Sequence, residues 1–367
     1  MKPLAATLAL LCAFSCLAAE NPFGLPDGLY SEITTPKGVV VSELFFQKTP
    51  MTVANHVGLV EGTLGPTPGK SYYEGAKWHR VVADFVVQGG TNVDRLRLGY
   101  SFPDEIVPGL RHDSAGTMQM ANSGPDSNGS QFCFMLSPQQ RLNYEHTVFG
   151  HVVRGLDVLP KIQVGDTMSI KILRLGPAAQ AFKADKATFD ALTNSAKRYT
   201  GARTNGPDTP FDDPDKILQA DRTRHFNFKL TNFERFTGRR IGARLLAKTP
   251  EGNVNDYMRA MAKKLGTDKV GAFALYTADT GNWHLWIGDD SISDFIGGPA
   301  PTDPAEIEKV LHKAKQDFFA AAGQTAAPII AKAETTNDPA NPATDAQKTK
   351  LRVDAVMDSL IFKLEPK

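Results

Sequence analysis

Trp78-His79-Arg80-Val81-Val82-Ala83-Asp84-Phe85-Val86-Val87-Gln88-Gly89-Gly90 is the stretch on which the fold reading turns. It is rich in valine and aromatic residues and stops at two glycines, which predicts β-structure over 80–87. Strand alternation puts Arg80, Val82, Asp84, Val86 and Gln88 on one face and His79, Val81, Phe85 and Val87 on the other. Phe85 can share a face with Arg80 only if a bulge or turn intervenes, and Ala83-Asp84 is the place for one. Similar short runs stand at 39–46, 132–136, 147–153 and 168–175, with glycines and prolines between them. From about residue 29 to 176 the text therefore predicts an all-β sandwich or barrel. One helix interrupts it at 52–60, with Thr49-Pro50 as cap and first-turn residues and Gly62 just past its end.

Beyond the barrel the rhythm changes. Residues 178–199 read as a polar helix, and 201–214 (GARTNGPDTPFDDP) as a linker. Helical patterns at 216–236, 254–265 and 304–322 alternate with strand patterns at 240–246, 272–277 and 283–287, which predicts a second, smaller α/β domain. The alternation of Trp283, Leu285 and Ile287 with His284 and Trp286 reads as a strand buried on both faces. Residues 333–348 (AETTNDPANPATDAQK) are polar and read as a flexible spacer. Residues 351–364 read as a terminal amphipathic helix. The expected division is a signal peptide at 1–19, a first domain at 29–178, a helix and linker at 179–215, an α/β domain at 216–322, and the spacer and last helix at 323–367.

The whole chain of 367 residues suits two domains. Its 41 basic and 40 acidic residues give a net charge of +1. Such a chain has no broad field to attract nucleic acid, so none is expected as a partner. Met1-Lys2-Pro3, the apolar run 4–17 and Ala18-Ala19 have the pattern of a secretory signal. The run is too short to cross a bilayer, so no stable span is expected after cleavage. The expected location is outside the cytoplasm, in the periplasm, with a lipoprotein or a secreted form as alternatives; Ala13 stands where a lipoprotein signal has leucine before Cys16. Cleavage removes Cys12 and Cys16 and leaves Cys133, which cannot form an internal disulfide alone.

Two further motifs follow the first: Met120-Ala121-Asn122-Ser123-Gly124-Pro125-Asp126-Ser127-Asn128-Gly129-Ser130-Gln131-Phe132, and Leu142-Asn143-Tyr144-Glu145-His146-Thr147-Val148-Phe149-Gly150. With Phe102-Pro103-Asp104-Glu105 between the first two, their order and spacing resemble the cyclophilin family of peptidyl-prolyl cis–trans isomerases over residues 30–176. The resemblance implies a closed antiparallel barrel capped by two helices, the second near 156–163, with proline-containing polypeptides as substrates. It implies no cofactor and no metal.

The chemistry fits such residues. An X–Pro bond turns against a barrier of about 18–20 kcal/mol because the nitrogen lone pair is delocalised. No bond breaks, so the catalyst has only to hold the proline and favour the twisted amide, whose localised lone pair accepts a hydrogen bond. A guanidinium is always charged and rich in donors. The resemblance assigns this role to Arg80. It places Phe85, Val86, Cys133 and Leu142 on the proline pocket, Gln88 and Asn122 on the peptide backbone, and Ala121, Gln131 and His146 around them.

Three positions depart from the family pattern: Cys133 replaces a pocket phenylalanine, Val86 a methionine, and Arg141 stands near a frequent tryptophan. The Cys133 change predicts a wider pocket wall, filled by Phe132 or Phe134. These departures leave a proline-binding scaffold with weak or no turnover as the alternative function. His79 reads as a structural histidine and Cys133 as a packing residue, since the chemistry needs neither acid nor thiolate. Residues 216–322 resemble TPM-type domains, some linked to phosphatase or metal-dependent activity and others to assembly. Asp279, Asp289 and Asp290 are the acids a divalent cation could use there; solvated turn acids are the simpler reading.

Overall fold

The computed structural model describes residues 21–91, 97–336 and 344–367. The signal segment 1–19, with Cys12 and Cys16, and residues 337–343 of the spacer lie outside the described residues.

The first unit is an eight-stranded antiparallel sheet. Its strands are β1 (Gly28–Thr35), β2 (Gly38–Leu44), β3 (Arg80–Val82), β4 (Val86–Gly89), β5 (Thr117–Met120), β6 (Phe132–Met135), β7 (Val148–Arg154) and β8 (Ser169–Leu175). They lie in the order β3-β4-β6-β5-β7-β2-β1-β8. The sheet curls until its two edges meet: the Trp78 N–H donates to the Asp166 carbonyl at 2.9 Å, and the Met168 N–H to Ala76 at 2.9 Å. One face closes over a core that holds Trp78, Phe132, Phe134 and Phe149.

Helix α1 (Pro50–Glu61) plugs this core and is buried along almost its whole length. Thr49 precedes it but makes no side-chain cap. The distant Glu105 does so instead, accepting from the Met51 and Thr52 N–H groups at 3.0 and 2.8 Å and from the Thr52 hydroxyl at 2.8 Å. A carboxylate at this end also suits the helix dipole. The second capping helix is a 3-10 turn over Leu156–Lys161. The expected helix over 178–199 is two, α2 (Gly176–Ala181) and α3 (Lys186–Ser195).

The second unit has four strands: β9 (Phe211–Asp212), β10 (Arg240–Leu246), β11 (Gly271–Thr277) and β12 (Asn282–Ile287), in the order β12-β11-β10-β9. The first three run parallel and β12 antiparallel. The presumed linker thus supplies an edge strand. Helix α5 (Val254–Leu265) covers one face through Met258, Met261 and Leu265. The other face packs on α4 (Ala220–Thr237), α6 (Ile292–Ile296), α7 (Pro304–Thr336) and α8 (Asp345–Leu364). Helix α7 continues well past residue 322 into the expected spacer, and α8 starts six residues before 351. Its early start has a cause: Thr344 and Gln347 form a reciprocal capping box.

The two units share a core. Ile106 and Tyr144 of the barrel pack among the apolar side chains of α4 and α8. Glu365, buried, accepts from the Tyr144 hydroxyl at 2.7 Å, the Gly109 N–H at 2.9 Å and the Arg111 guanidinium. Asn232 on α4 donates to Asp104 and to the Tyr144 carbonyl, and Arg235 pairs with Asp126 at 2.9 Å. Asp104 of the Phe102–Glu105 motif and Asp126 of the Met120–Phe132 motif therefore hold the second unit in place.

Candidate active site

The run 80–87 is not one strand but a hairpin. Val82 pairs with Val86, and the Phe85 N–H returns to the Val82 carbonyl at 3.1 Å. Asp84 sits at the tip with φ +57°, a left-handed conformation that aspartate tolerates better than most residues. The turn breaks the alternation and swings Phe85 to the face of Arg80. The Arg80 guanidinium lies 5.4 Å from the Phe85 ring centre.

Register builds the rest of that face. Arg80 pairs with Gln88, Gln88 with Cys133, and Cys133 with Gln119. One rung along, Val82 pairs with Val86 and Val86 with Met135. Directly paired residues point to the same side of a sheet, so Val86, Cys133 and Met135 form a floor on the face opposite the core. Leu142 joins it from a 3-10 turn over Gln140–Leu142, with Phe85 and Ala121 at the rim. Phe132 and Phe134 lie on the other side, in the barrel core. They cannot replace the missing pocket phenylalanine, because they have the opposite parity to Cys133. Arg141 comes over Phe85 instead, 4.6 Å from its ring centre.

A polar chain borders the floor. Arg80 donates to Gln88 Oε1 at 3.2 Å, and Gln88 Nε2 donates to Gln131 Oε1 at 2.9 Å. Among the described residues Arg80 has no carboxylate within ion-pair distance, so its remaining donors face solvent. The Asn122 side chain is already used, donating across to the Glu145 carbonyl of the 143–147 loop at 2.8 Å and accepting from the Gly124 N–H of its own loop at 3.2 Å. Its main-chain groups bond no described residue. His146 Nδ1 lies 3.1 Å from the Met120 carbonyl. A carbonyl only accepts, so Nδ1 carries the proton and Nε2 is an acceptor. Burial lowers the His146 pKa, which keeps the ring neutral. Burial likewise lowers His79 and pushes the Cys133 thiol up to about 12, so Cys133 is inert packing at neutral pH.

All ten expected site residues thus belong to one surface patch. The expected acids of the second unit do not converge. Asp279 caps Thr249 at one end of the β11–β12 hairpin, and Asp289 pairs with Lys269 at the other. No group of three metal-ligating side chains occurs among the described residues.

Residues 30–176 match the family model for the cyclophilin type peptidyl-prolyl cis-trans isomerase domain. Peptidyl-prolyl cis-trans isomerase-like 1 of Mus musculus is 37% identical over 165 residues, 42% of this chain and 93% of that protein. The chain belongs to the cyclophilin-type peptidyl-prolyl cis–trans isomerases. A probable peptidyl-prolyl cis-trans isomerase A of Mycobacterium bovis is 41% identical over 128 residues, 32% of this chain and 70% of its own length. A solved cyclophilin type isomerase of Cryptosporidium parvum aligns with 40% of this chain and 98% of its own at 28% identity, with a TM-score of 0.35.

This cyclophilin carries a feature that sequence reasoning missed: α4 lies beside the site. Glu145, next to His146, pairs with His225 at 3.1 Å and with Arg222 at 3.8 Å. Only a pairing of distant charges could have revealed this, and no local pattern encodes one. Burial pushes the Glu145 carboxyl up, but the His225 hydrogen bond and the charges of Lys229 and Arg222 outweigh it and bring it to about 2. The same hydrogen bond raises His225 above 6.5. A raised histidine stabilises the fold fully below its unfolded pKa, and the effect fades as pH rises through its folded pKa. We therefore expect wild type to exceed His225→Gln in urea midpoint at pH 6, with the gap closing towards pH 9. A gap independent of pH would contradict the assignment. Below pH 4.5 a second loss begins as Glu145 is protonated on the way to about 2.

Proposed function

We propose that the protein is an exported prolyl isomerase that speeds proline-limited folding of other exported polypeptides, with Arg80 as the donor to the twisted amide. The observation that carries this reading is the Arg80 fork itself. Among the described residues it has no acidic partner, and it is oriented by the Gln88–Gln131 chain beside the apolar floor of Val86, Cys133 and Leu142. Phe85, Val86, Cys133 and Leu142 hold the proline; Gln88, Gln131 and the Asn122 main chain meet the peptide backbone; Ala121 and His146 close the rim. The apolar run 4–17 supports export, and periplasmic fractionation with N-terminal sequencing of the mature chain tests it.

The activity test is refolding of a protein whose slow phase is X–Pro isomerisation, which takes tens to hundreds of seconds uncatalysed. Catalytic amounts of the full mature chain should shorten that phase and leave the fast phases unchanged. A scaffold that grips proline segments is the second reading, favoured by Arg141 lying across Phe85 and narrowing the pocket mouth. Peptide binding without faster cis–trans exchange would select it.

A further inference from the structure

The proline floor does not end at Leu142. Leu142 and His146 are also walls of a cavity of 670 Å³ whose far side is built by the start of α4 and the start of α8. Arg141, Arg222, His225 and Lys350 line it. The neighbouring acids are largely engaged. Glu145 is held by His225 and Arg222, Asp221 by Arg224, and Asp354 by Arg222 and Lys350 at 3.2 Å. Of the lining residues, three are permanent cations, Arg141, Arg222 and Lys350, beside the two carboxylates of Glu145 and Asp221; Arg222 and Lys350 are in ion pairs, and Arg141 is in none among the described residues. Its Nε donates to Gln139 at 3.2 Å, but its two terminal nitrogens have no partner among the described residues. Its guanidinium lies over the Phe85 ring, 4.6 Å from the ring centre, which restrains it. A restrained, half-buried fork with two free donor groups suits a carboxylate.

The geometry points to an acidic-residue subsite: this cavity takes a Glu or Asp side chain of the substrate polypeptide, within about three residues of the proline, on Arg141 and Lys350. The inference rests on the proposed reading of the floor as the proline site, because the cavity opens from it at Leu142. It gives the second unit a role in choosing substrates, with α4 and α8 supplying half of the groove. The binding is non-covalent, and the site acts on affinity, not on the twisting step.

Three otherwise identical peptides test it, each with one X–Pro bond and with Glu, Gln or Lys at the second and third places on either side of the proline. Fluorescence anisotropy gives Kd, and exchange NMR gives turnover, both with the full mature chain. The Glu peptide should bind about tenfold tighter than the Lys peptide in low salt, a ratio expected for one charge-assisted contact. The ratio should fall in 0.5 M NaCl, where screening is short-ranged. Lys350→Glu should reduce or reverse it, and Arg141→Gln should shrink it, read as the Glu:Lys ratio within each variant. Equal Kd for the three peptides overturns the subsite, as does a preference that both variants retain. Failure of the isomerase reading has a different signature: binding with no enhanced exchange on any peptide, which leaves the Kd ratio to decide the subsite alone.

Discussion

Arg80→Ala is expected to lower kcat/KM for an X–Pro peptide by about 100-fold, as roughly 1.5–3 kcal/mol of charged hydrogen bonding is lost and each 1.36 kcal/mol is tenfold. The amide nitrogen accepts a hydrogen bond only when the bond is twisted and its lone pair localised. A donor aimed at it therefore favours the transition state over both planar isomers, which is the condition for raising kcat rather than merely tightening binding. Arg80 is exposed and, among the described residues, its side chain makes one hydrogen bond, to Gln88. Its loss should change stability by no more than about 0.5 kcal/mol, as at other surface positions. Arg80→Lys keeps the charge but loses the rigid fork, so it should recover only a small part of the rate. Exchange NMR on a single X–Pro peptide, with urea unfolding of each variant, reads both quantities. Equal exchange by wild type and the alanine variant would remove Arg80 from the mechanism.

Lys229→Ala should be the most destabilising single change at the junction of the two units. The Lys229 side chain is fully buried and pairs with Asp358 on α8, whose side chain is 12% exposed. Its ammonium also donates to the Arg141 carbonyl at 3.0 Å. Removing it strands the Asp358 carboxylate, at a cost of about 3–5 kcal/mol for a buried pair that loses one partner. Replacing both members, Lys229→Met with Asp358→Leu, should recover most of that loss, because the desolvation of two charges disappears with them. The double variant still lacks the bond to the Arg141 carbonyl, which steadies the turn carrying Leu142. Its affinity for an X–Pro peptide should therefore fall about fivefold, the worth of one ordinary hydrogen bond of about 1 kcal/mol. Urea midpoints of the three forms, with peptide Kd for wild type and the double variant, check this. A double variant as unstable as Lys229→Ala would mean that the pair does not account for the loss.

The sequence was most readable where local pattern and burial agree. Residues 240–246 and 254–265 coincide with β10 and α5, because each has one clear period and a glycine or a cap at its ends. It was least readable where distant groups decide. Thr49 had the look of a helix cap, yet Glu105 does that work from across the fold. The 304–322 pattern stopped early because alanines and a proline at 328 weaken the amphipathic signal, while packing on α8 carries the helix to Thr336. The motifs named residues that the fold brings together, and the need for a turn between Arg80 and Phe85 was legible as well. The surroundings of Cys133 were not, since they depend on register: parity sends Phe132 and Phe134 into the core, and Arg141 comes over Phe85. The flanking wall of α4 and α8 left no mark that a single sequence could show.

The contact of Glu365 with Arg111 spans 254 residues. The barrel's own strand pairs can form without it, while the entropy of closing so long a loop must be met before this clamp contributes. During synthesis the barrel is therefore expected to fold first and to expose the bare proline floor, with Tyr144 uncovered, until residues 344–365 arrive. On that order of events the nascent chain would pass through a stage in which it is a minimal cyclophilin with an open groove. Only the chain through residue 365 would have the walled one, so the proposed selectivity among substrates would be the last property it acquires.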